Sequence, residues 1–368
     1  METSAIVIDN GTRSIKVGFS GDDNPRAVLP SAVGISKQSK SAGEQVGEEP
    51  LKRRDLYDIK FPIERGIIKD WDNMEKIWHC ALYNELRIPP DEHPVLLTEP
   101  PLNPRANREK IAQIMFETFS VPATYISLQP LLSLISAGRT NGIVLDSGEG
   151  VTSIVPICEG VALPHAILRL HLSGCDLTDY LLRLMTERGY YLETPSEKEM
   201  APDIKEKLCY AAISPDEESA KSEQELEKNY ELPDGRQITL GSERFRCAEA
   251  LFQPSLVGLP YSGFHQSILN SINKCDMAVR RDLYGNIVVS GGNTLLTGFT
   301  DRLEKELFLI SPSTVNIEMV CPPERKFSVW AGGSLLSSLS SFQDMWILKE
   351  EYEERGPSIV HKKCSHSN

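Results

Sequence analysis

The sequence lacks any apolar run long enough to cross a membrane, and its first residues lack the basic start of a signal peptide. We therefore expect neither membrane insertion nor secretion. The eight cysteines form no C-x-x-C pair and show no metal-ligand spacing, which favours a reducing cytosol over a disulfide framework. An excess of positive charge is also absent, because 39 Lys and Arg stand against 52 Asp and Glu, a net charge of −13. A nucleic-acid backbone is thereby disfavoured as the main partner.

The composition is that of a globular protein, with 40% hydrophobic and 25% charged residues in a chain of 368. A chain of this length exceeds what one ordinary hydrophobic core organises. We therefore expect two domains, with possible subdivisions.

A strand that ends in a glycine turn occurs twice. Residues 143–150 read Ile-Val-Leu-Asp-Ser-Gly-Glu-Gly, and residues 6–11 read Ile-Val-Ile-Asp-Asn-Gly, with the two Asp residues 137 positions apart. A single copy is compatible with an ordinary Asp-Ser-Gly turn. Two copies predict two similar domains, whose turns hold a polyphosphate between them while Asp9 and Asp146 face its divalent metal.

Three further features are typical of ligand contacts. Lys16, on the strand returning from the first turn, lies close enough to reach phosphate oxygens, although a lone Lys is often merely solvated. Gln129 stands at the carboxyl end of the strand 125–130, where ligand contacts concentrate in open sheets. The third strand-to-glycine turn, residues 290–293, is suited to an anion or to the close approach of an adenosine.

Local patterns predict the remaining elements. Residues 35–55 are too polar to order themselves and predict a mobile loop, and residues 195–231 predict a solvated helical excursion. Asn103 and Pro104 predict a helix N-cap and a first helical residue. Further predicted elements are helices over 73–87, 131–138, 176–188 (ended by Gly189) and 328–341, and a hairpin turn at Asp234-Gly235.

Longer motifs give the chain a specific resemblance to the actin family over nearly its whole length. They are Phe61-Pro62-Ile63-Glu64, Trp78, and the segments 93–99 (His-Pro-Val-Leu-Leu-Thr-Glu), 107–110 (Asn-Arg-Glu-Lys), 115–119 (Met-Phe-Glu-Thr-Phe), 163–169 (Leu-Pro-His-Ala-Ile-Leu-Arg), 203–210 (Asp-Ile-Lys-Glu-Lys-Leu-Cys-Tyr), 322–326 (Pro-Pro-Glu-Arg-Lys) and 356–361 (Gly-Pro-Ser-Ile-Val-His). The chain is therefore similar to actin or to a divergent actin-related protein.

The resemblance implies an actin-like ATPase fold of class α/β, with two similar halves around a nucleotide cleft and four subdomains. The implied subdomain 1 comprises residues 1–30, 62–136 and 328–368, and subdomain 2 comprises residues 31–61. Subdomain 3 comprises residues 137–172 and 260–327, and subdomain 4 comprises residues 173–259.

The resemblance also implies a cofactor, ATP or ADP with Mg²⁺ or Ca²⁺, and residues for it. Asp9, Asp146 and Gln129 surround the metal, the two Asp through water, and Gln129 orients the attacking water. The phosphates contact Gly11, Thr12, Arg13 and Lys16 in the first turn, and Ser147, Gly148, Glu149, Gly150 and Val151 in the second. The nucleoside lies near Lys205, Glu206, Gly291, Gly292, Asn293 and Lys326.

Several positions depart from the family pattern. Arg13 replaces the usual Gly of the first turn, which strains the turn if this position needs the freedom of Gly. Ser153 replaces a His that positions the lytic water. Glu149 replaces an Asp, Arg65 a His, Leu296 a Tyr near the adenine, and Pro202 an Arg near it. The main phosphate and metal groups are kept, so we expect ATP binding with slow or impaired hydrolysis.

These features together indicate a cytoplasmic, cytoskeletal subunit that is at most a slow ATPase. The loop after Gly34 is shorter than in the family and lacks its apolar tip. The apolar cleft residues Leu335, Leu336, Leu339 and Met345 are kept for actin-like subunits, self or hetero, and for actin-binding proteins. The alternatives are a nucleotide-locked scaffold that never hydrolyses and a small-molecule kinase of the same fold. The kinase needs a further base, for which the sequence offers no candidate, and a chaperone of the Hsp70 type needs a substrate domain beyond the ATPase.

Overall fold

The computed structural model describes residues 4–37 and 44–364. Its strands are β1 Ile6–Asn10, β2 Ser14–Phe19, β3 Ala27–Pro30, β4 Val33–Ser36, β5 Glu44–Val46, β6 Tyr57–Lys60, β7 Ile63–Glu64, β8 Ile67–Ile68, β9 Val95–Glu99, β10 Ala123–Leu128, β11 Gly142–Ser147, β12 Thr152–Cys158, β13 Val161–Ala162, β14 Leu168–Leu170, β15 Lys228–Glu231, β16 Gln237–Leu240, β17 Ile287–Ser290, β18 Met319–Val320 and β19 Ile347–Leu348.

The helices are α1 Glu48–Lys52, α2 Trp71–His79, α3 Arg105–Gln113, α4 Gln129–Ser136, α5 Gly174–Glu187, α6 Pro195–Lys198, α7 Ala201–Leu208, α8 Pro215–Ser219, α9 Glu223–Leu226, α10 Glu243–Glu249, α11 Phe264–Lys274, α12 Met277–Tyr284, α13 Phe299–Ile310, α14 Ser328–Ser338, α15 Lys349–Arg355 and α16 Val360–Lys363. Two of them, α2 and α3, continue as π-helical segments over Cys80–Leu86 and Ile114–Thr118. Within the described ranges, no helix has the length and apolar character that a membrane span requires.

The two main sheets share one strand arrangement. The first half of the molecule is built on the order β3-β2-β1-β9-β10-β19, and the second half on β13-β12-β11-β17-β18, with β14 also paired to β12. In both, an antiparallel hairpin (β1–β2 or β11–β12) lies beside two strands parallel to its first strand. The prediction of two similar α/β halves is therefore confirmed.

Each half has its own hydrophobic core, and α4 and α14 connect the two sheets. The Cβ of any residue other than Gly at position 332 would lie 1.8 Å from the carbonyl oxygen of Leu132, so the two helices pack backbone against backbone. The hydroxyls of Ser133, on α4, and Ser290, at the end of β17, are hydrogen-bonded at 2.9 Å. This contact fixes the glycine turn after β17 relative to the helix that begins at Gln129.

The predicted N-cap at Asn103 is wrong, because the helix begins at Arg105 and Pro104 occupies the cap position. The Asn103 amide instead donates to Glu99 Oε2 at 3.0 Å. The Glu99 carboxylate is buried and also pairs with Arg108. A buried carboxylate needs such donors, and this need outweighs a local helix cap.

The predicted loop over 35–55 is also wrong where the structure describes it. Strands β4, β5 and β6 form a small sheet in the order β5-β4-β6, and α1 packs against it through the buried Pro50. A Cβ on Gly34 would lie 2.3 Å from the Cβ of Pro50, so glycine permits this contact. Residues 38–43, including Ala42, lie outside the described residues.

The other local predictions agree more closely with the structure. The excursion 195–231 contains the short helices α6 to α9, although it ends in β15, and Gly235 adopts φ +84 in the predicted hairpin turn. Helix α5 ends before Gly189, as predicted, but begins at Gly174 rather than 176. Helix α4 begins at Gln129 rather than 131, so Gln129 is its first residue.

Candidate functional site

A cavity of about 410 Å³ lies where the two hairpins meet. It is lined by most of the residues that the sequence predicted for a nucleotide site: Asp9, Gly11, Thr12, Arg13, Lys16, Gln129, Asp146, Gly148, Glu149, Gly150, Val151, Lys205, Glu206, Gly291, Gly292, Asn293 and Lys326. These residues come from both halves of the molecule, so the cavity is shared by the two sheets.

The first turn, between β1 and β2, is held in place on both sides. A Cβ on Gly11 would lie 2.5 Å from the carbonyl oxygen of Ser14, so this position requires glycine. The side chain of Asn10 donates to the carbonyl oxygen of Thr98 at 3.1 Å and accepts from Trp78 Nε1 at 3.0 Å. The backbone of the turn is thereby fixed before any ligand arrives.

Arg13 follows in the same turn. It is not among the described non-glycine residues with positive φ. Position 13 therefore does not need the conformational freedom of glycine. Arg13 does not strain the backbone of the turn.

The second turn, between β11 and β12, lies against the first. A Cβ on Gly150 would lie 2.4 Å from Thr12 Oγ1, so the two turns approach within contact distance. The start of α5 anchors this turn, because the N–H groups of Gly174 and Cys175 donate to the carbonyl oxygens of Gly148 (3.0 Å) and Glu149 (2.8 Å). Such paired turns present backbone N–H groups to anionic oxygens.

The carboxylate of Asp9 is surrounded by donors. Lys16 Nζ lies 2.8 Å from Asp9 Oδ2, and Thr98 Oγ1 and Gln129 Nε2 donate to Asp9 Oδ1 at 2.9 and 3.2 Å. Lys16 is therefore committed to Asp9 in this structure, at the edge of the same cavity. The Lys16 ammonium thereby offsets part of the negative charge of Asp9 and Asp146, which line the same cavity.

Asp146 has fewer partners and a perturbed titration. Desolvation by the cleft wall raises its pKa to about 6, the nearby charge of Asp9 adds to the rise, and a hydrogen bond from Ser290 opposes it. No group of three or more His, Cys, Asp or Glu side chains suited to a metal occurs in residues 4–37 and 44–364. Asp9 and Asp146, which both line the cavity, would hold a hydrated divalent cation, and such a cation would favour ionised Asp146.

We predict that Asp146→Asn stabilises the ligand-free protein above pH 6. A folded-state pKa raised from 3.8 to about 6 means that the neutral carboxyl is favoured on folding. This contribution is complete below the unfolded pKa and is lost as the pH rises through the folded one. The thermal midpoint of the variant should exceed that of the wild type at about pH 7.5 and approach it only at about pH 4, near the unfolded pKa. The exposed Asp344→Asn is the control, and an equal midpoint difference at both pH values would contradict the prediction.

The third wall of the cavity comes from the turn after β17. Gly291 has φ +91, and a Cβ there would lie 2.2 Å from the carbonyl oxygen of Ser147. Asn293 Nδ2 donates to Ser147 Oγ at 3.0 Å, and Ser147 Oγ is bonded to Thr152 Oγ1 at 2.7 Å. Thr152 in turn donates to the carbonyl oxygen of Leu172, so Ser147 must be the donor to Thr152.

This relay fixes the orientation of the Asn293 amide. Its Oδ1 atom is buried and has no hydrogen-bond partner. An unpaired buried acceptor costs free energy unless a donor from a ligand or a water reaches it. The side chain at this wall therefore fits a bound molecule that brings N–H or O–H groups.

Lys205 is held by the protein rather than left free for a ligand. The side chain is 3% exposed. Its ammonium donates to the carbonyl oxygen of Gly174 at 2.6 Å and to Thr178 Oγ1 at 2.9 Å, and lies 3.6 Å from Glu149 Oε2. Desolvation raises the pKa of Glu149 above its ordinary value, although the charges of Lys205 and Arg13 oppose the rise. Lys205 therefore supports the second turn and at the same time lines the cavity.

Arg65, on the turn between β7 and β8, forms another contact between the two halves. Its guanidinium makes two hydrogen bonds to the Asp176 carboxylate, of 2.5 and 2.7 Å, and the hydrogen bond to Asp176 raises the pKa of Arg65. Asp176 lies in the first turn of α5, the helix that anchors the second glycine turn. The next residue, Gly66, donates its N–H to Thr12 Oγ1 at 2.9 Å. This segment thus connects the first turn to α5.

Some sequence predictions differ from the geometry. Ser147 lies behind the cavity rather than in its lining, and neither Ser153 nor Pro202 lines it, whereas Leu296 does. The sequence reasoning missed five lining residues: Asn10, Ser14, Gly66, Leu295 and Val329. Three of them, Asn10, Ser14 and Leu295, adjoin residues that the sequence placed near the ligand, and Val329 lies three positions after Lys326. Gly66 did carry a signal in the sequence, because it is a glycine in a short polar turn. The structure explains the glycine, since this residue adopts φ +81.

A family model described as Actin matches residues 1–365, essentially the whole chain. The match confirms the resemblance indicated by the sequence motifs. The mixed α/β fold, with its two similar halves, agrees with an actin-like ATPase fold.

Proposed function

The chain belongs to the actin family, and we propose that it binds ATP or ADP with Mg²⁺ or Ca²⁺ in the cavity between its two halves. We further propose that it serves as a cytoskeletal subunit of actin-type filaments or of an actin-related complex, and that it is at most a slow ATPase. One observation supports this most strongly: two glycine turns touch across one cavity, each following a strand that carries a carboxylate, Asp9 or Asp146. The four subdomains with the boundaries given above belong to the same proposal.

The chain's own groups divide the work of binding. The backbone N–H groups of the two turns would receive the phosphates, and Asp9 and Asp146 would hold the hydrated cation. A bound cation supplies neutralisation of phosphate charge. Lys16 balances Asp9 while the site is free and lies close enough to turn towards phosphate oxygens. Gly291, Gly292 and Lys326 form the wall beside which the nucleoside lies, and the free Oδ1 of Asn293 accepts a donor there.

Gln129 is the residue positioned for a water. Its Nε2 atom donates to Asp9 Oδ1 at 3.2 Å and to the carbonyl oxygen of Asn10 at 3.0 Å. With the amide nitrogen used in this way, Oε1 remains the acceptor that orients a water molecule. One such acceptor restrains the water less than two would, which supports slow hydrolysis.

A non-hydrolysing, nucleotide-bound scaffold is the second candidate. The buried position of Ser153 outside the cavity lining favours it, because no second side chain takes the place of the family's His. A small-molecule kinase has less support. The acidic lining residues are Asp9, Asp146, Glu149 and Glu206, and all of them already have roles in the nucleotide site.

The binding proposal is tested by thermal unfolding with and without Mg-ATP. A ligand at a hundred times its Kd stabilises the folded state by about 2.7 kcal/mol, so the midpoint should rise clearly. Asp146→Ala should reduce this rise, because the metal loses one of its two carboxylates. The variant Asp344→Ala, which removes an exposed carboxylate outside the cavity, should keep it. A wild-type midpoint that ignores Mg-ATP would refute the assignment of the cavity.

A further inference from the structure

Arg13 lines the cavity and binds a carboxylate of the opposite half. Arg13 belongs to the first turn, whereas Glu199 lies between α6 and α7 in the second half. Arg13 Nη1 donates to Glu199 Oε1 at 3.3 Å, and Nη2 donates to Glu199 Oε2. The two residues are 186 positions apart in the chain. A bidentate arginine–carboxylate pair of this kind fixes orientation as well as distance.

A second arginine from the first half reaches the same carboxylate. Arg54, which precedes β6, lies with Nη2 2.5 Å from Glu199 Oε1. Glu199 thus receives two guanidinium groups from the first half, and its side chain is only one-quarter exposed. The helix α7 that follows Glu199 is anchored in the second core through Ile204 and Leu208. The contact therefore connects the first half to a helix that is anchored in the core of the second half.

The charges around Arg13 make this contact strong. Burial lowers the pKa of Arg13, but the hydrogen bond and charge of Glu199, with the charges of Glu149 and Glu206, outweigh it and raise the pKa. Glu149 and Glu206 line the cavity, as Arg13 does. The Arg13 side chain is 38% exposed, so it is not sealed inside the protein and can separate from Glu199 without unfolding of a core.

We propose that the Arg13–Glu199 pair is a latch between the two halves beside the cavity, which retains the bound nucleotide until the pair separates. The proposal rests on the proposed function and goes beyond it, because it assigns to Arg13 a role in exchange rather than in phosphate binding. The glycine that other family members carry at this position has no side chain to form such a pair. In this chain the first turn therefore carries one of the two residues of the latch.

The latch is tested by the release rate of a fluorescent ATP analogue, chased with unlabelled Mg-ATP in a stopped-flow instrument. Arg13→Gln and Glu199→Gln should each speed release by roughly tenfold, the scale of a partly buried charge-assisted hydrogen bond. The double variant should release no faster than Glu199→Gln alone, because Glu199→Gln already breaks the contact with Arg13 as well as the contact with Arg54. Arg13→Lys should fall between, since it keeps the charge and loses the bidentate geometry.

Two outcomes would assign these side chains to roles other than a latch. If Arg13 binds phosphate instead, Glu199→Gln frees it and slows release, which would overturn the latch. If Arg54 alone holds Glu199, Arg13→Gln releases at the wild-type rate, which would also overturn it. Arg139→Gln, which breaks the surface pair with Glu318 at 3.0 Å, is the matched control and should not change the rate. A wild-type protein that binds no analogue refutes the proposed function, whereas binding with unchanged release in both variants refutes the latch alone.

Discussion

Phosphate release from bound ATP should be slower in this protein, by on the order of tens- to a thousandfold, than in a family member that has His where this chain has Ser153. The substitution Ser153→His should raise the rate. Removing one group that positions or stabilises the reacting atoms costs on the order of a hundred- to a thousandfold at well-studied sites. Ser153 lies directly opposite Asp146 across the β11–β12 pair. Opposite residues of antiparallel strands point to the same face. The Ser153 side chain thus faces the cavity side but is too short to line it.

Single-turnover phosphate release on purified protein with bound ATP measures this prediction. An imidazole at position 153 extends several ångströms further than a hydroxymethyl group, so it gives the water held by Gln129 a second partner. Ser153→Ala is the matched control, and it should leave the rate unchanged because the short hydroxyl does not reach the water. An unchanged rate in Ser153→His, with Mg-ATP binding intact, would show that Ser153 is not what limits hydrolysis.

The parts of the site that the sequence predicted are those with local patterns. Both Asp-containing strands end within a residue of the expected turns, because a short apolar run followed by Asp and Gly specifies strand and turn within six residues. The second copy of the pattern then indicated the two similar halves. Long-range partners have no such local signal. The local sequence around Asn103 is typical of a helix cap, but in the folded structure its amide donates to the buried carboxylate of Glu99.

Two other features also required the folded structure. The contact between Arg13 and Glu199 joins residues from different halves, and nothing in either segment alone predicts it. Lys205 was assigned to the nucleoside wall by resemblance, and it does line the cavity. Its ammonium, however, is occupied by Gly174 and Thr178, which only the packing of α5 against α7 reveals. In both cases a charged side chain contacts residues that are distant in the sequence.

The pure protein should assemble poorly into filaments, with a critical concentration nearly two orders of magnitude higher than that of a conventional actin. In an actin-like filament, a loop of the small subdomain inserts an apolar tip into the next subunit. Residues 35–47 offer only Ile35, Ala42 and Val46 as apolar side chains, and Ala42 lies outside the described residues. Val46 packs against the first core, so it is not free for a neighbour.

The size of the effect follows from the missing contact area. At roughly 25 cal/mol per Å², losing about 100 Å² of apolar contact removes about 2.5 kcal/mol per interface. Each 1.4 kcal/mol is about tenfold in an equilibrium constant, which gives the shift in critical concentration. Substituting apolar residues into the polar stretch, as in Lys37→Met with Glu44→Leu, should lower the critical concentration. Both positions are exposed at the ends of the segment, so the core is left unchanged.

The apolar cleft that the resemblance assigns to partners is exposed, so we propose that the chain enters a hetero-complex or caps conventional actin at one end. Leu335, Leu339 and Met345 are 46%, 44% and 42% exposed, and Leu336 and Met345 line a second cavity of about 350 Å³.

Pelleting with Mg-ATP measures both predictions, the poor self-assembly and the effect on actin. Alone, the protein should stay in the supernatant at low micromolar concentration; with actin, it should co-pellet or shorten the filaments. Leu339→Glu should abolish the effect on actin while leaving the Mg-ATP shift intact, because the charge disrupts the cleft and not the nucleotide site. Long filaments from the pure protein at low micromolar concentration would show that the polar loop is not what limits assembly.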